Sequence, residues 1–276
     1  MISPAELVTN YTYAQALAGT VAVAGCAGAV GPLVYLRRQS LMVDAVSHAS
    51  FPGLIAVFIV AASLGFNGRN VVALTCGAVA LGCLAVAAIN YLPKHSPLKT
   101  DAVMAAVLST FFSLGMLLMQ YVARHPLPGK AGIQDYLLGN ASTLTRADVI
   151  SAAVVGALAA LALGAVHFPL ALAVFDPAYR RFEPLVFLVL TVVAVIGIKV
   201  VGVVLMVAVV VAPAAAARQW VRRLPGFIAL SAALGALSAA VGTYASVNWA
   251  IPTGPAIVLV QAAIVAASLI NRKVRS

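Results

Sequence analysis

Apolar residues run in stretches of about 20 from Tyr11 to Ile270, separated by short polar connections, the length that crosses about 30 Å of hydrocarbon. The pattern places spans at about Tyr13 to Leu36, Leu41 to Leu64, Val71 to Tyr91, Ala102 to Val122 and Val149 to Val166. These stretches are apolar all round, which predicts helices and argues against a transmembrane barrel of alternating strands. The following segment, "HFPLALAVFDPAYRRFEP", is amphipathic and too short to cross. From Leu185 to Ala217 the apolar run exceeds thirty residues, too long for one span, and Gly197, Lys199 and Gly202 interrupt its middle. Two helices meeting in a tight hairpin there are predicted. Two more spans follow at about Phe227 to Val247 and Pro255 to Asn271.

The expectation is an all-α polytopic membrane protein with about nine transmembrane helices, or eight if one long segment is a single element. No connection exceeds 26 residues, so residues 1–276 read as one transmembrane domain.

Composition strengthens that picture. The chain is 63% hydrophobic and 9% charged, with a mean hydropathy of +1.06, whereas soluble domains carry about 25% charged residues. A net charge of +10 could suggest nucleic acid, but the basic residues are spread over the connections. With Arg37 and Arg38 set in the cytoplasm, successive crossings put twelve of the seventeen Lys and Arg there. Arg69, Arg124, Lys130, Arg146 and Lys199 fall on the other side. That bias predicts an outside N-terminus and a cytoplasmic C-terminus, and makes membrane lipid, not nucleic acid, the reason for the charge. Cys26, Cys76 and Cys83 lie in apolar stretches and read as small core side chains rather than a disulfide framework. The start, "MISPAELVTNYTY", lacks a basic leader, so the first helix is expected to be retained.

Chemistry is scarce along such a chain, and one segment concentrates it. In "LMVDAVSHASFPG", residues 41–53, Asp44 and His48 stand four apart and share one helix face. Ionisable groups at this depth turn toward a bundle interior or a water path, since facing lipid costs about 2.5 kcal/mol or more. A carboxylate with a neutral imidazole is a ligand pair for manganese, iron or zinc. Two ligands make a weak site that water or other residues can complete, which suits an ion that must leave again. The alternative is structural: Asp44 charges the start of its helix and His48 merely bonds to it. Spacing leaves both open.

Other polar positions are weaker. Lys199, at the expected hairpin tip, can snorkel to the outer interface or act as a gate. Asp101 suits a helix start, His95 and His125 suit solvated connections with Asp135, and His167 suits a helix end. No G-x-x-x-x-G-K-[ST] occurs, so any ATP-driven work needs a nucleotide site on another subunit. An intramembrane enzyme is disfavoured by the lack of H-E-x-x-H, paired catalytic acids or a Ser–His arrangement at membrane depth.

Several segments, in order, resemble permeases of manganese, zinc and iron ABC importers. "LMVDAVSHASFPG" is similar to their "GDALSHAxLPG" pattern, and "PLKTDAVMAAVLSTFFSLGMLLM" to their fourth-helix segment. "DYLLGNASTLTRADV", "FDPAYRR" and "IKVVGVVLMVAVVVAPAAAARQ" resemble their outer connection, their cytoplasmic "FDPExA" turn and their "LKVVGxLLxxALLxxPAATAR" helix. The matches cover about residues 35 to 220.

The resemblance implies a permease that dimerises with a second copy, sits on two separate ATP-binding cassette ATPase subunits and receives metal from an extracytoplasmic metal-binding protein. It implies metal ligation by Asp44 and His48, and no permanently bound cofactor. It also implies a cytoplasmic coupling segment at about residues 173–183, with Asp176, Pro177, Tyr179, Arg180 and Arg181 meeting the ATPase. A bacterial plasma membrane is the implied location. The alternative is a proton-coupled secondary metal transporter, in which the pair relays protons and no ATPase docks.

Overall fold

The computed structural model describes residues 6, 9–37, 39–66, 68, 70–130, 132–133, 139, 146–165 and 183–275. Among them the chain forms nine helices: α1 (Tyr11–Leu36), α2 (Ser40–Ser63), α3 (Val71–His95), α4 (Thr100–Arg124), α5 (Arg146–Ala165), α6 (Glu183–Val201), α7 (Met206–Ala217), α8 (Leu224–Trp249) and α9 (Thr253–Arg275). α1, α2, α3, α4, α8 and α9 are each long and apolar enough to cross a membrane, and the bent pair α6–α7 makes a seventh candidate span.

Local sequence sets where these helices begin. The side chain of Asn10 accepts from the N–H of Thr12 at 3.1 Å to open α1. Asn70 accepts from Val72 and Ala73 at 3.0 and 3.3 Å to open α3. Each satisfies donors that a helix start leaves without intrahelical partners.

Small residues decide how closely the helices pack. A methyl added at Gly28 of α1 would meet the backbone of Ser231 on α8, and one at Gly235 would meet that of Ala24. The Ser231 hydroxyl donates to the Gly28 carbonyl at 2.6 Å. Lipid supplies no hydrophobic drive between helices, so close contact and interhelical hydrogen bonds hold this seam. Gly53 of α2 and Gly77 of α3 repeat the device, each standing where the other's carbonyl leaves no room for a methyl.

Two core layers order the first spans. Met42, Val43 and Val46 of α2 cluster with Ile89 of α3 and Val103 of α4. Phe51, Leu54 and Phe58 cluster with Leu74 of α3 and Met119 and Val122 of α4. The start of α2 therefore lies beside the end of α3 and the start of α4, as alternating up and down crossings require. In its most apolar window α2 is 72% buried, against 28% for each of α3, α4 and α8. The span that carries Asp44 and His48 is thus the enclosed one.

The expected hairpin in Leu185–Ala217 takes another form. α6 runs unbroken through Gly197 and Lys199, and the break falls at residues 202–205, with a bend of 108° into α7. Gly197 stays helical, and its bare face packs against the tip of the Met206 side chain. Gly202 is the true interruption: at φ +92° it takes a conformation open to glycine and costly for other residues. α7 has 12 residues, about 18 Å of rise, too short to cross alone. It still returns the chain to the Arg37 end of α1, since Ala214, Ala217 and Phe227 pack with Tyr35 and Leu36. Between α4 and α5, Gly139 (φ +73°) lies against the backbone of Val201 and Gly202, where a methyl would collide.

Candidate functional site

α2 positions both members of the polar pair. Asp44 and His48 lie one turn apart, with Nε2 of His48 3.3 Å from Oδ1 of Asp44. Asp44 lies beyond the first turn of α2, which contains no acid, and Gln39 at the N-cap makes no side-chain capping bond. Helix-dipole stabilisation fades within the first turn, so charging the helix start does not explain Asp44.

The pair is unevenly enclosed. His48 is 8% exposed, whereas a quarter of the Asp44 side chain remains open. Phe112 of α4 packs edge-to-face on the His48 ring, with centroids 4.8 Å apart and planes at 79°. Nδ1 of His48 is buried without a hydrogen-bond partner. A buried polar nitrogen in that state costs about 1–3 kcal/mol, so its retention calls for a purpose beyond packing.

Geometry fits ligation. In a tetrahedral site with bonds of about 2.0–2.1 Å, neighbouring ligand atoms lie about 3.3 Å apart. The separation of Oδ1 and Nε2 is 3.3 Å, so one ion could bridge both without moving the helix. The described residues contain no group of three or more His, Cys, Asp or Glu side chains. An ion held here would need further ligands beyond those two side chains. Around the pair, Ser47 and Ser50 donate to the carbonyls of Val43 and Val46, each at 2.8 Å. Gly82 of α3 leaves room for Ser50 and for Thr191 of α6.

Lys199 stands apart from this site. It lies half-buried in the last turn of α6, on a cavity of about 40 Å³ shared with Gly19, Leu74, Thr75, Ser151 and Ile196. That cavity also takes in Val71 and Leu74 at the start of α3, whereas Val43 and Val46 beside Asp44 cluster with Ile89 near the end of α3, so Lys199 lies toward the opposite end of the bundle. The structure thus does not join Lys199 to the Asp44–His48 site. The expected coupling residues Asp176, Pro177, Tyr179, Arg180 and Arg181 lie outside the described residues, as do Asp135 and His167. Phe112 and the hydroxyls beside it on α4 were not singled out by the sequence. Their signal was polar residues in the middle of a strongly apolar span.

The sequence profile of the ABC 3 transport family matches residues 9–272. The zinc transport system membrane protein TroC of Treponema pallidum is 32% identical over 273 residues, covering 96% of this chain and 90% of that protein. The manganese import system permease protein ScaB of Streptococcus gordonii is 32% identical over 258 residues, covering 91% and 87%. Among solved structures, PsaBC from Streptococcus pneumoniae in complex with Fab superposes with a TM-score of 0.84 at 29% identity, covering 96% of this chain and 93% of that one. The chain belongs to the ABC 3 transport family and is a multi-pass membrane permease.

Proposed function

We propose that this member of the ABC 3 transport family is the transmembrane subunit of an ATP-driven importer of divalent transition-metal ions, taking manganese, zinc or ferrous iron. The observation that carries the reading is the Asp44–His48 pair, set 3.3 Å apart inside the most enclosed of the measured spans. The relatives' names supply the cargo class: TroC is a zinc and ScaB a manganese system component.

In this reading Asp44 and His48 ligate the ion part-way across the bilayer, and water or a second copy of the chain fills its coordination shell. Two permanent ligands hold it loosely enough to pass on, since affinity falls as ligands are removed. The chain works as a homodimer on two ATP-binding cassette subunits, and an extracytoplasmic metal-binding protein delivers the ion. Residues 173–183, with Asp176, Pro177, Tyr179, Arg180 and Arg181, form the ATPase contact. Lys199 adjusts the outer half of the path at the α6–α7 break. The C-terminus faces the cytoplasm of a bacterial cell, as the distribution of Lys and Arg supports. Membership of an ABC family does not favour the proton-coupled alternative.

Uptake of labelled manganese and zinc by cells expressing the chain with its partners tests this. Wild type, Asp44→Asn, His48→Ala and an ATPase-dead partner are compared at equal membrane levels. Entry of one metal that requires the ATPase and both side chains supports the proposal. Entry without an active ATPase contradicts the importer reading, and entry in both variants contradicts the ligand assignment.

A further inference from the structure

The uncovered faces of the spans differ in one respect. On α3 the exposed mid-span positions are Cys76, Ala80 and Leu84; on α8 they are Ala229, Ala233, Leu237 and Val241. On α9 they are Leu259, Ala262, Ala263 and Ala266. These surfaces suit hydrocarbon. α4 is as poorly covered as α3 and α8, yet it exposes Ser109, Thr110 and Ser113 at its centre.

Their bonding differs as well. Buried hydroxyls elsewhere in the bundle, including Thr20, Ser47, Ser50, Thr191 and Ser238, donate to carbonyls of their own helix. Among the described residues, the side chains of Ser109, Thr110 and Ser113 find no hydrogen-bond partner. A hydroxyl facing hydrocarbon in that state forfeits its bond to water and gains nothing in exchange. Three together on one turn and a half describe a surface that water reaches.

An independent observation ties this face to the ion site. His48, more than nine-tenths buried and with Nδ1 unpartnered, rests its ring on Phe112 of α4. At about 100° per residue, Ser109, Ser113 and Thr110 follow Phe112 round α4 at about 60°, 100° and 160°, so Phe112 borders the hydroxyl face on its Ser109 side. The open quarter of Asp44 is one turn of α2 from the same contact.

We propose that the Ser109–Thr110–Ser113 face of α4 lines the aqueous route by which the hydrated divalent cation reaches and leaves Asp44 and His48. Hydroxyl oxygens are neutral, hard donors, so they exchange with the ion's waters without trapping it. Phe112 closes the His48 side of the route, leaving the carboxylate edge as the point of entry. This inference rests on the ion-site reading but is tested independently of transport.

Single cysteines at 109 and 113 are introduced as Ser109→Cys and Ser113→Cys, with Cys26, Cys76 and Cys83 replaced by alanine, in the assembled transporter in lipid vesicles. Ala80→Cys and Ala233→Cys serve as lipid-facing comparators. A charged, membrane-impermeant methanethiosulfonate is applied with and without Mn²⁺. The proposal expects modification at 109 and 113 to be about tenfold or more faster than at 80 and 233, because thiolate formation needs water, and to slow when Mn²⁺ is present. Equal rates at all four positions overturn it. Fast labelling with full transport in Asp44→Asn sinks the ion-site reading and leaves the route. Slow labelling with transport lost in Asp44→Asn does the reverse.

Discussion

The seam between α1 and α8 and the seam between α2 and α4 both carry polar groups at membrane depth, but only the first uses them up. Between α1 and α8, Thr20 and Thr243 share a hydrogen bond of 2.8 Å, and the Ser231 hydroxyl donates to the Gly28 carbonyl. At the C-terminal end of α8, Ser246 meets Thr253 of α9 at 3.0 Å. Between α2 and α4, Nδ1 of His48 has no partner and Asp44 stays partly open, and on the neighbouring uncovered face of α4 Ser109, Thr110 and Ser113 find no partner among the described residues. Residues of similar chemistry hold helices together in one seam and stay unsatisfied in the other, where the ion path is proposed. Satisfaction of the polar groups, rather than their presence, separates scaffold from path.

The strongest way to break this comparison is to remove the ligands. Loss of groups that merely support a metal ligand costs about 10–100-fold, so Asp44→Asn or His48→Ala reduces metal uptake by at least that much. Thermal unfolding of Asp44→Asn stays near wild type, whereas His48→Ala also loses the ring packed on Phe112 and unfolds at a lower temperature.

Gly28→Val does the opposite. Its side chain meets the Ser231 backbone, and overpacking of about 1–3 kcal/mol or more lowers the unfolding temperature and the yield of folded permease. Any transport loss then tracks the amount of folded protein.

Phe112→Leu sharpens the contrast from the other side. An aromatic pair contributes about 0.5–1.5 kcal/mol beyond its area, so the half-saturating ion concentration rises by about 2–10-fold. Uptake titrations check it, and Phe112→Tyr restores the ring and the affinity. Thr243→Val has the smallest effect. One interhelical hydrogen bond in a membrane contributes about 0.6 kcal/mol, which calorimetry registers as a small fall in stability with unchanged ion affinity.

Much of this was legible in the chain itself. Runs of about 20 apolar residues mark the spans because hydrocarbon thickness fixes their length. Asp44 and His48 stand out because charge at that depth is costly. The sequence marked Gly197, Lys199 and Gly202 together as the α6–α7 break, because the two glycines read alike, and only Gly202 proves to be in it. Only packing tells them apart: Gly197 makes room for Met206, while Gly202 carries the positive φ. Phe112 was invisible for a related reason. One aromatic residue in an apolar span looks like any other until the fold sets it against His48. The hydroxyls of α4 gain meaning only once the other exposed faces prove apolar.

The most direct test of ion ligation by the α2 pair is zinc-edge X-ray absorption on the purified permease in lipid nanodiscs. The account predicts a shell of nitrogen and oxygen ligands at about 2.0–2.1 Å with outer-shell imidazole scattering. That scattering is lost in His48→Gln, and the shell changes in Asp44→Asn. A spectrum unchanged by both substitutions places the ion elsewhere and contradicts the account.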